Sequence, residues 1–271
     1  MRLAFIGSGV MGEAIIAAVL GRGLAQPADV TACDVVAQRR EQLSQAYGIT
    51  TTERTADAVA GSELVVLAVK PQEFPTVARD LRGRLAAGQT AVSIMAGVNL
   101  AALRDGLGHE AIVRAMPNTP AQVGEGMTVW TTTDAVTASA REDVQRVLGA
   151  LGQELYVPEE KYVDMATAVS GSGPGFVFLT MEAMIDAAVH IGLRREMATA
   201  MVLQTVLGSA RYAQASGRHL ADLRNQVTSP GGTTAEGLLA LEEAGVRAAF
   251  AQAIIAAYER ARQLGGAASK P

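Results

Sequence analysis

The stretch LAFIGSGVMGEAIIAAVL, residues 3–20, decides the fold that we expect for this chain. Its first four residues are apolar and predict a strand, and the residues after the glycines have the periodicity of a helix. The turn between them matches G-x-G-x-x-G, which in a strand-turn-helix context is typical of a dinucleotide-binding site. In such a turn the first glycine permits the tight bend, the second admits a pyrophosphate and the third allows close helix packing. We therefore assign to cofactor binding the residues Gly7, Ser8, Gly9, Val10, Met11 and Gly12.

Strand-like and helix-like segments alternate through the first half of the chain. The predicted strands are Leu3–Ile6, Val30–Cys33, Leu64–Val69, segments within 90–97 and 111–119, and an edge strand within 126–132. The predicted helices after the first are Ala37–Ala46 and Pro71–Leu81. Strands separated by helices of this length indicate a mainly parallel sheet covered on both faces. The fold class is therefore α/β, with a doubly wound Rossmann domain over residues 1–160.

From about residue 160 the strand patterns stop and long helical runs take over. We predict helices at Gly175–Ile191, Arg195–Ala215 and Ala235–Leu264, and a frayed tail over 265–271. The change of period indicates an all-α domain over residues 161–271.

The first of these long helices is apolar on most of its circumference. Glu182, Asp186 and His190 fall on one narrow stripe, and the remaining faces are apolar. Such a helix needs cover on nearly all sides. We therefore predict a twofold homodimer through the helical domain; a central helix wrapped within its own domain is the alternative.

Asp34 ends the second predicted strand, 22 residues after Gly12. A carboxylate at this place usually accepts hydrogen bonds from the adenosine ribose and disfavours a 2′-phosphate. Arg39 and Arg40 follow closely and could instead reach that phosphate. The sequence therefore leaves NAD(H) and NADP(H) both open as the cofactor.

Three further predicted strands end at the carboxyl edge of the sheet, where open α/β sheets bind ligands. They end in AVKP, MAGV and MPNTP, and they supply the cofactor-site candidates Ala68, Val69, Lys70, Pro71, Ala96 and Asn118. Lys70 either contacts the cofactor or is a solvated lysine at a strand end. Asn118 either bonds the cofactor or holds its turn.

A second side-chain-poor entrance to a helix lies in TSPGGTTAEGLLALEEAG, residues 228–245. Thr233 and Glu236 match T-x-x-E, which predicts a capping box with Thr233 as the N-cap. No Lys, Arg or His stands between Asn225 and Gly245, so an anion bound here must be held by main-chain amides and the helix terminus. We therefore predict a substrate site, made of Ser229, Gly231, Gly232, Thr233 and Thr234.

Composition excludes several other kinds of protein. Hydrophobic residues make up 49% and the net charge is −4 without blocks of like charge, which favours a folded chain and disfavours nucleic acid or anionic membrane as a partner. The single Cys33 fits a small buried residue and a reducing compartment. We find no pattern of a signal peptide or a membrane span, and His109, His190 and His219 lack metal-ligand spacing. We expect a soluble, cytoplasmic protein without a metal.

Taken together, these motifs resemble the pyrroline-5-carboxylate reductase family. The matching pieces are FIGSGVMGEAI, AVKP, MAGV, RAMPNTP, SGSGPGF and SPGGTTAEGLLALEE, in the family's order over nearly the whole chain. The resemblance implies a Rossmann domain, a helical dimerisation domain, and NAD(P)H-dependent reduction of the cyclic imine 1-pyrroline-5-carboxylate to L-proline, the last step of proline biosynthesis. It also implies rings of dimers. Asp34 departs from relatives that prefer NADPH, which tend to carry small polar or basic residues there.

With that substrate, the resemblance gives the second entrance a role. The substrate carboxylate is expected on the amides of residues 231–234, with the protonated imine nitrogen near the Thr234 hydroxyl, which makes Thr234 the expected catalytic residue. A charged iminium already attracts hydride, so catalysis is mostly orientation. The glycine-rich segment 170–176 either closes this site or serves as a hinge.

Two alternatives stay open at the level of sequence. A 3-hydroxyacid dehydrogenase also combines a Rossmann domain with a helical domain, but its family places a catalytic lysine on the helix that here reads GFVFLTMEAMIDAAVHIGL. A nucleotide-sensing or membrane-associated protein would bind the cofactor without turnover.

Overall fold

Within residues 1–268, which the computed structural model describes, the strands form one sheet of eight. They are β1 Leu3–Ile6, β2 Val30–Cys33, β3 Thr50–Thr52, β4 Leu64–Leu67, β5 Thr90–Ser93, β6 Ile112–Met116, β7 Gly126–Thr132 and β8 Gly152–Tyr156. Their order is β3-β2-β1-β4-β5-β6-β7-β8, and every neighbouring pair is parallel except β6 with β7. The first six strands have the order of a Rossmann sheet.

The helices cover both faces of this sheet or form a separate helical unit. They are α1 Val10–Gly21, α2 Ala37–Tyr47, α3 Thr55–Val59, α4 Phe74–Leu81, α5 Leu100–Leu107, α6 Ala138–Gly149, α7 Lys161–Ala166, α8 Gly173–His190, α9 Arg195–Ser216, α10 Leu220–Gln226, α11 Thr233–Glu243 and α12 Val246–Ala268. A π-helical turn, Thr167–Gly171, separates α7 from α8.

Strand β1 shows why the sheet is buried on both faces. Successive side chains of a strand point to opposite faces. Leu3 and Phe5 belong to one hydrophobic cluster, which includes Ile15 and Val19 of α1. Ala4 and Ile6 belong to a second cluster, which includes helix α4. The predicted Rossmann fold, with its covered and mainly parallel sheet, is confirmed.

The chain divides into two compact units. The first contains residues 1–172 and 256–268, and the second is the all-helical segment Gly173–Ile255. The domain boundary at residues 160 and 161 stays a prediction. Within the first unit, the end of α12 packs on the loop after β5: a Cβ on Gly97, which has a φ of +74°, would lie 2.7 Å from Leu264 Cβ.

Several local predictions are wrong. Strand β7 is not an edge strand, because it pairs with β6 on one side and with β8 on the other. Strands β3 and β8 were not predicted, since the first is three threonines and the second reads GQELY. The predicted helix at Ala235–Leu264 is broken at Gly245, whose φ is +72°. Helix α12 continues through Ala268 where we expected a frayed tail, and residues 269–271 of that tail lie outside the described chain.

A buried arginine ties the sheet to helix α7. Arg114 in β6 is 2% exposed, and its guanidinium pairs with Glu160 at 2.7 Å and with Asp164 at 2.6 Å. The same Glu160 oxygen accepts from the Leu100 amide at 2.7 Å, at the start of α5. One buried cation therefore holds β6, α5 and α7 together. The apolar sequence around Arg114 does not predict this network.

Removing this cation should destabilise the protein strongly. Arg114→Ala leaves two carboxylates facing a buried space, and breaking a buried pair costs about 3–5 kcal/mol. Chemical denaturation of the variant measures the loss in the free energy of unfolding. The matched control is Arg146→Ala, which removes the exposed pair with Asp143 and should cost about 1 kcal/mol or less. Equal losses for the two variants would contradict a structural role for the Arg114 network.

Candidate active site

In the turn between β1 and α1, the main chain packs closely against the main chain at the end of β4 and against itself. Gly7 has a φ of +85°, and a Cβ there would lie 2.7 Å from Val69 Cγ1 and 2.9 Å from the Ala68 carbonyl oxygen. A Cβ on Gly12 would lie 2.8 Å from the Gly7 carbonyl oxygen. These two glycines therefore let the turn and the helix press against the end of β4.

Gly9 has the opposite environment. It is the N-cap of α1, and a Cβ built on it would meet nothing within 4 Å. The first turn of a helix has unpaired amides and about half a positive charge. An open, side-chain-free approach to such a terminus fits a pyrophosphate, so the residues present fit a dinucleotide.

This turn opens into a cavity of about 800 Å³. Of the cofactor-site residues predicted from the sequence, the cavity is lined by Gly7, Ser8, Gly9, Asp34, Ala68, Val69 and Lys70. It is not lined by Val10, Met11, Gly12, Pro71, Ala96 or Asn118. Sequence reasoning missed Val35, Val36 and Glu53 on the cavity wall. Their position directly after β2 and β3, at the carboxyl edge of the sheet, is the signal that would have found them.

Asp34 stands on the wall of this cavity, held by main-chain amides. Its Oδ2 accepts from the Ser8 amide at 3.1 Å, and its Oδ1 accepts from the Val36 amide at 3.0 Å. Arg39 and Arg40, the alternative phosphate ligands, do not line the cavity. The carboxylate is therefore fixed beside the glycine turn.

Lys70 and Asn118 have different surroundings. Lys70 is exposed at the end of β4 and lines the cavity. Asn118 Nδ2 donates to the Ser170 carbonyl at 2.9 Å, and its Oδ1 accepts from the Met127 amide at 2.9 Å. The Asn118 amide thus holds its own turn against β7 and the π-helical turn. The cofactor contacts assigned to Lys70, Ala96 and Asn118 stay predictions.

Cys33 is a buried sheet residue, as predicted. It is 3% exposed and has no disulfide partner. Burial raises the pKa of its thiol to about 11, with a smaller contribution from the neighbouring Asp34 carboxylate. The thiol is therefore uncharged at neutral pH, and it offers no nucleophile to the cavity that it lines.

The helix entrance at residues 229–234 departs from the predicted capping box. The N-cap of α11 is Gly232, and no side chain caps the helix. Thr233 and Thr234 are therefore the first two helical residues, and the prediction that Thr233 is the N-cap, its hydroxyl engaged in capping, is wrong. Gly231 supplies the turn with a φ of +68°, and a Cβ on Gly232 would collide with Ser229 Oγ.

One amide of this entrance is engaged within the protein. Gly232 N–H donates to the Ser229 carbonyl at 3.1 Å. Across residues 1–268, the amides of Gly231, Thr233 and Thr234 donate to no main-chain carbonyl, and neither threonine hydroxyl forms a hydrogen bond. The entrance therefore presents three main-chain donors and two hydroxyls.

Residues 1–268 contain neither a candidate metal site nor a membrane-spanning helix. The described chain has no cluster of three or more His, Cys, Asp or Glu side chains that could hold a metal ion. His109 contacts the Gln89 carbonyl at 2.7 Å, and His219 caps α10. None of the described helices is both long and apolar enough to span a membrane.

Known proteins match both parts of the chain. The family model for pyrroline-5-carboxylate reductase dimerisation matches residues 160–264, and a model for NADP oxidoreductase, coenzyme F420-dependent, matches residues 2–97. A pyrroline-5-carboxylate reductase from Synechocystis is 39% identical over 98% of this chain and 98% of its own.

Solved structures agree with these matches. A pyrroline-5-carboxylate reductase from Coxiella burnetii has a TM-score of 0.90 at 33% identity, covering 97% of this chain and 98% of its own. Pyrroline carboxylate reductase from Plasmodium falciparum, solved with NADP bound, has a TM-score of 0.89 at 30% identity, covering 98% of each chain.

The sheet order and the glycine turn define a Rossmann-type dinucleotide-binding protein that carries an additional helical unit. Among such proteins, the near full-length similarity is specific. The chain belongs to the pyrroline-5-carboxylate reductase family, as the motifs in the sequence had indicated.

Two glycine substitutions should affect dinucleotide binding and the stability of the protein separately. Gly9→Ala places a methyl group in the open space expected to hold a pyrophosphate, so it should weaken dinucleotide binding roughly tenfold or more and change stability by about 0.5 kcal/mol or less. Gly12→Ala meets the Gly7 carbonyl and should cost about 1–3 kcal/mol of stability. Calorimetric titration with reduced dinucleotide and thermal unfolding measure the two effects. Unchanged binding by a folded Gly9→Ala protein would contradict the pyrophosphate assignment.

Proposed function

We propose that this chain reduces 1-pyrroline-5-carboxylate to L-proline with NADH or NADPH, the last step of proline biosynthesis. Its membership in the pyrroline-5-carboxylate reductase family supports this activity. The observation on the structure that carries the proposal is the side-chain-free entrance to α11, where unpaired amides face outward without any capping group. Such an entrance suits a small anionic substrate.

The substrate carboxylate binds at the N-terminus of α11. The amides of Gly231, Thr233 and Thr234 are its donors, and the Gly232 amide is excluded because it already bonds Ser229. The helix terminus adds favourable charge. Gly231 and Gly232 leave room for close approach of the ligand to the main chain, and Ser229 borders the turn.

Thr234 is the proposed catalytic residue. Its hydroxyl is half-buried and is not used for capping, so it is available to hydrogen bond the ring nitrogen of the substrate. The reactive imine is protonated, and its positive charge already favours attack at the carbon. This chain therefore needs to orient the substrate rather than supply a strong acid.

The dinucleotide, when bound, supplies the hydride. The residues proposed to hold it are the glycine turn Gly7–Gly12, Asp34, the β4 end from Ala68 to Pro71, Ala96 and Asn118. The open amides at Gly9 take the pyrophosphate, and Asp34 takes the adenosine ribose. Lys70, exposed on the cavity wall, adds a positive charge for the phosphates or the ribose.

The helical unit is proposed to form a twofold homodimer. No residue of α8 is buried in the single chain, and Phe178 and Leu179 are 60% and 66% exposed. Further large apolar side chains are exposed on α9 and α11, namely Met201, Leu203, Leu207, Leu239 and Leu241. The dimerisation model of the family matches this region. A second copy of this chain is proposed to cover these apolar side chains. We further propose that the dimers form a ring. A cytoplasmic location, consistent with the free Cys33, is also part of the proposal.

The Thr234 role can be tested by turnover. A hydrogen bond to a charged group contributes about 1.5–3 kcal/mol, so Thr234→Ala should lower kcat/KM for pyrroline-5-carboxylate roughly ten- to a hundredfold. Because the hydroxyl caps nothing, the melting temperature should stay near that of the wild type. Thr234→Ser keeps the hydroxyl and is the matched control, with activity within a few-fold of wild type. Wild-type turnover by Thr234→Ala would contradict the catalytic role of Thr234.

The dimer can be tested by placing charge on the apolar face. Phe178→Glu puts a carboxylate into the proposed interface, and burying an unpaired charge is strongly unfavourable. Sedimentation should show monomers at concentrations where the wild type is dimeric. Val123→Glu is the control: Val123 is 77% exposed in the sheet unit, and the variant should assemble as the wild type does. A monomeric wild type would overturn the proposal.

A further inference from the structure

The end of β2 carries an acidic group without a basic partner. Each oxygen of the Asp34 carboxylate accepts from a main-chain amide, one from Ser8 and one from Val36. Across residues 1–268, no lysine or arginine forms an ion pair with it. The two amides fix the carboxylate on the wall of the cavity that the glycine turn opens into.

The two arginines that follow Asp34 are engaged elsewhere. Arg39 pairs with Glu13 at 2.5 Å and donates to the Ser8 carbonyl at 2.8 Å; this hydrogen bond lowers the pKa of the Glu13 carboxyl below its ordinary value. Arg40 pairs with Glu53 at 3.3 Å and donates to the Asp34 carbonyl at 2.8 Å. Each positive charge is offset by a carboxylate, and neither guanidinium lines the cavity.

No other side chain near Asp34 takes the place of Arg39 and Arg40 as its positively charged partner. Val35 and Val36 are 86% and 53% exposed and have no polar side-chain atoms. Arg54 follows β3, next to β2 in the sheet, and lines the cavity, where it pairs with Asp57 at 3.6 Å. Lys70 and Arg84 also line the cavity, but neither forms an ion pair with Asp34. The Asp34 carboxylate is therefore flanked by apolar side chains and by arginines that already pair with other carboxylates.

We infer that Asp34 makes this chain select NADH over NADPH. The two cofactors differ only by a 2′-phosphate on the adenosine ribose, and a carboxylate at this position accepts from the ribose hydroxyls and repels that phosphate. Turning the carboxylate away would break both of its amide hydrogen bonds. The inference rests on the proposed dinucleotide-dependent function.

The test measures binding without turnover. The full-length protein is titrated calorimetrically with NADH and with NADPH in the absence of substrate, and NADH should bind roughly tenfold more tightly or better. Asp34→Ser removes the charge and should bring the ratio of the two dissociation constants close to one, mainly by tightening NADPH. Asp34→Asn also removes the charge, and its one oxygen can still accept from one of the two amides; it tests the charge if the serine variant does not fold.

Asp80→Asn is the matched control. It removes a carboxylate from the wall of the same cavity, on α4, that accepts from neither the Ser8 nor the Val36 amide, and it should leave the ratio unchanged. If the wild type binds NADPH as tightly as NADH, or if neither Asp34 variant changes the ratio, the inference is overturned while the proposed function stands. If neither reduced dinucleotide binds, both are overturned.

Discussion

The cofactor half of this protein depends on one close contact, that of the β1–α1 turn with the end of β4. A side chain at Gly7 would strike the Ala68 carbonyl, and a side chain at Gly12 would strike the Gly7 carbonyl. Only because both positions lack a Cβ can α1 start directly above the sheet. That placement brings its free amides to the cavity and lets the Ser8 amide reach Asp34 from the neighbouring strand.

An uncapped helix N-terminus that begins at a glycine occurs twice in this chain. Helices α1 and α11 both begin at a glycine N-cap with no side-chain cap. Both proposed ligands carry negative charge, yet the chain has a net charge of −4, and no Lys, Arg or His stands between Asn225 and Gly245 at the α11 entrance. Main-chain dipoles can attract an anion without adding lysines or arginines. On the proposed assignments, an acidic protein binds two anions through main-chain donors, and the Asp34 carboxylate remains available to distinguish NADH from NADPH.

The sequence predicted what local pattern controls. The first two strands and helix α1 follow from short, mainly apolar runs and from glycine spacing, and the observed bounds of those strands agree with the prediction. Most of what it could not predict depends on partners that lie far away in the sequence. The polar strand β8 is defined by its pairing with β7, the arginine of β6 by two carboxylates about fifty residues away, and the N-cap of α11 by a glycine turn that overrode a matching capping box.

Helix α12 returns the chain from the helical unit to the sheet unit. It leaves the helical unit near residue 255, and its last turns rest on Gly97 in the sheet unit, where Ala261 is buried. Along the chain, the helical unit is thus an insertion between two parts of the sheet unit rather than an appendage after it. A fragment cut just before α12 would lack part of the cofactor-binding half as well, so dissecting this protein into separately expressed halves requires grafting residues 256–268 back onto the sheet fragment.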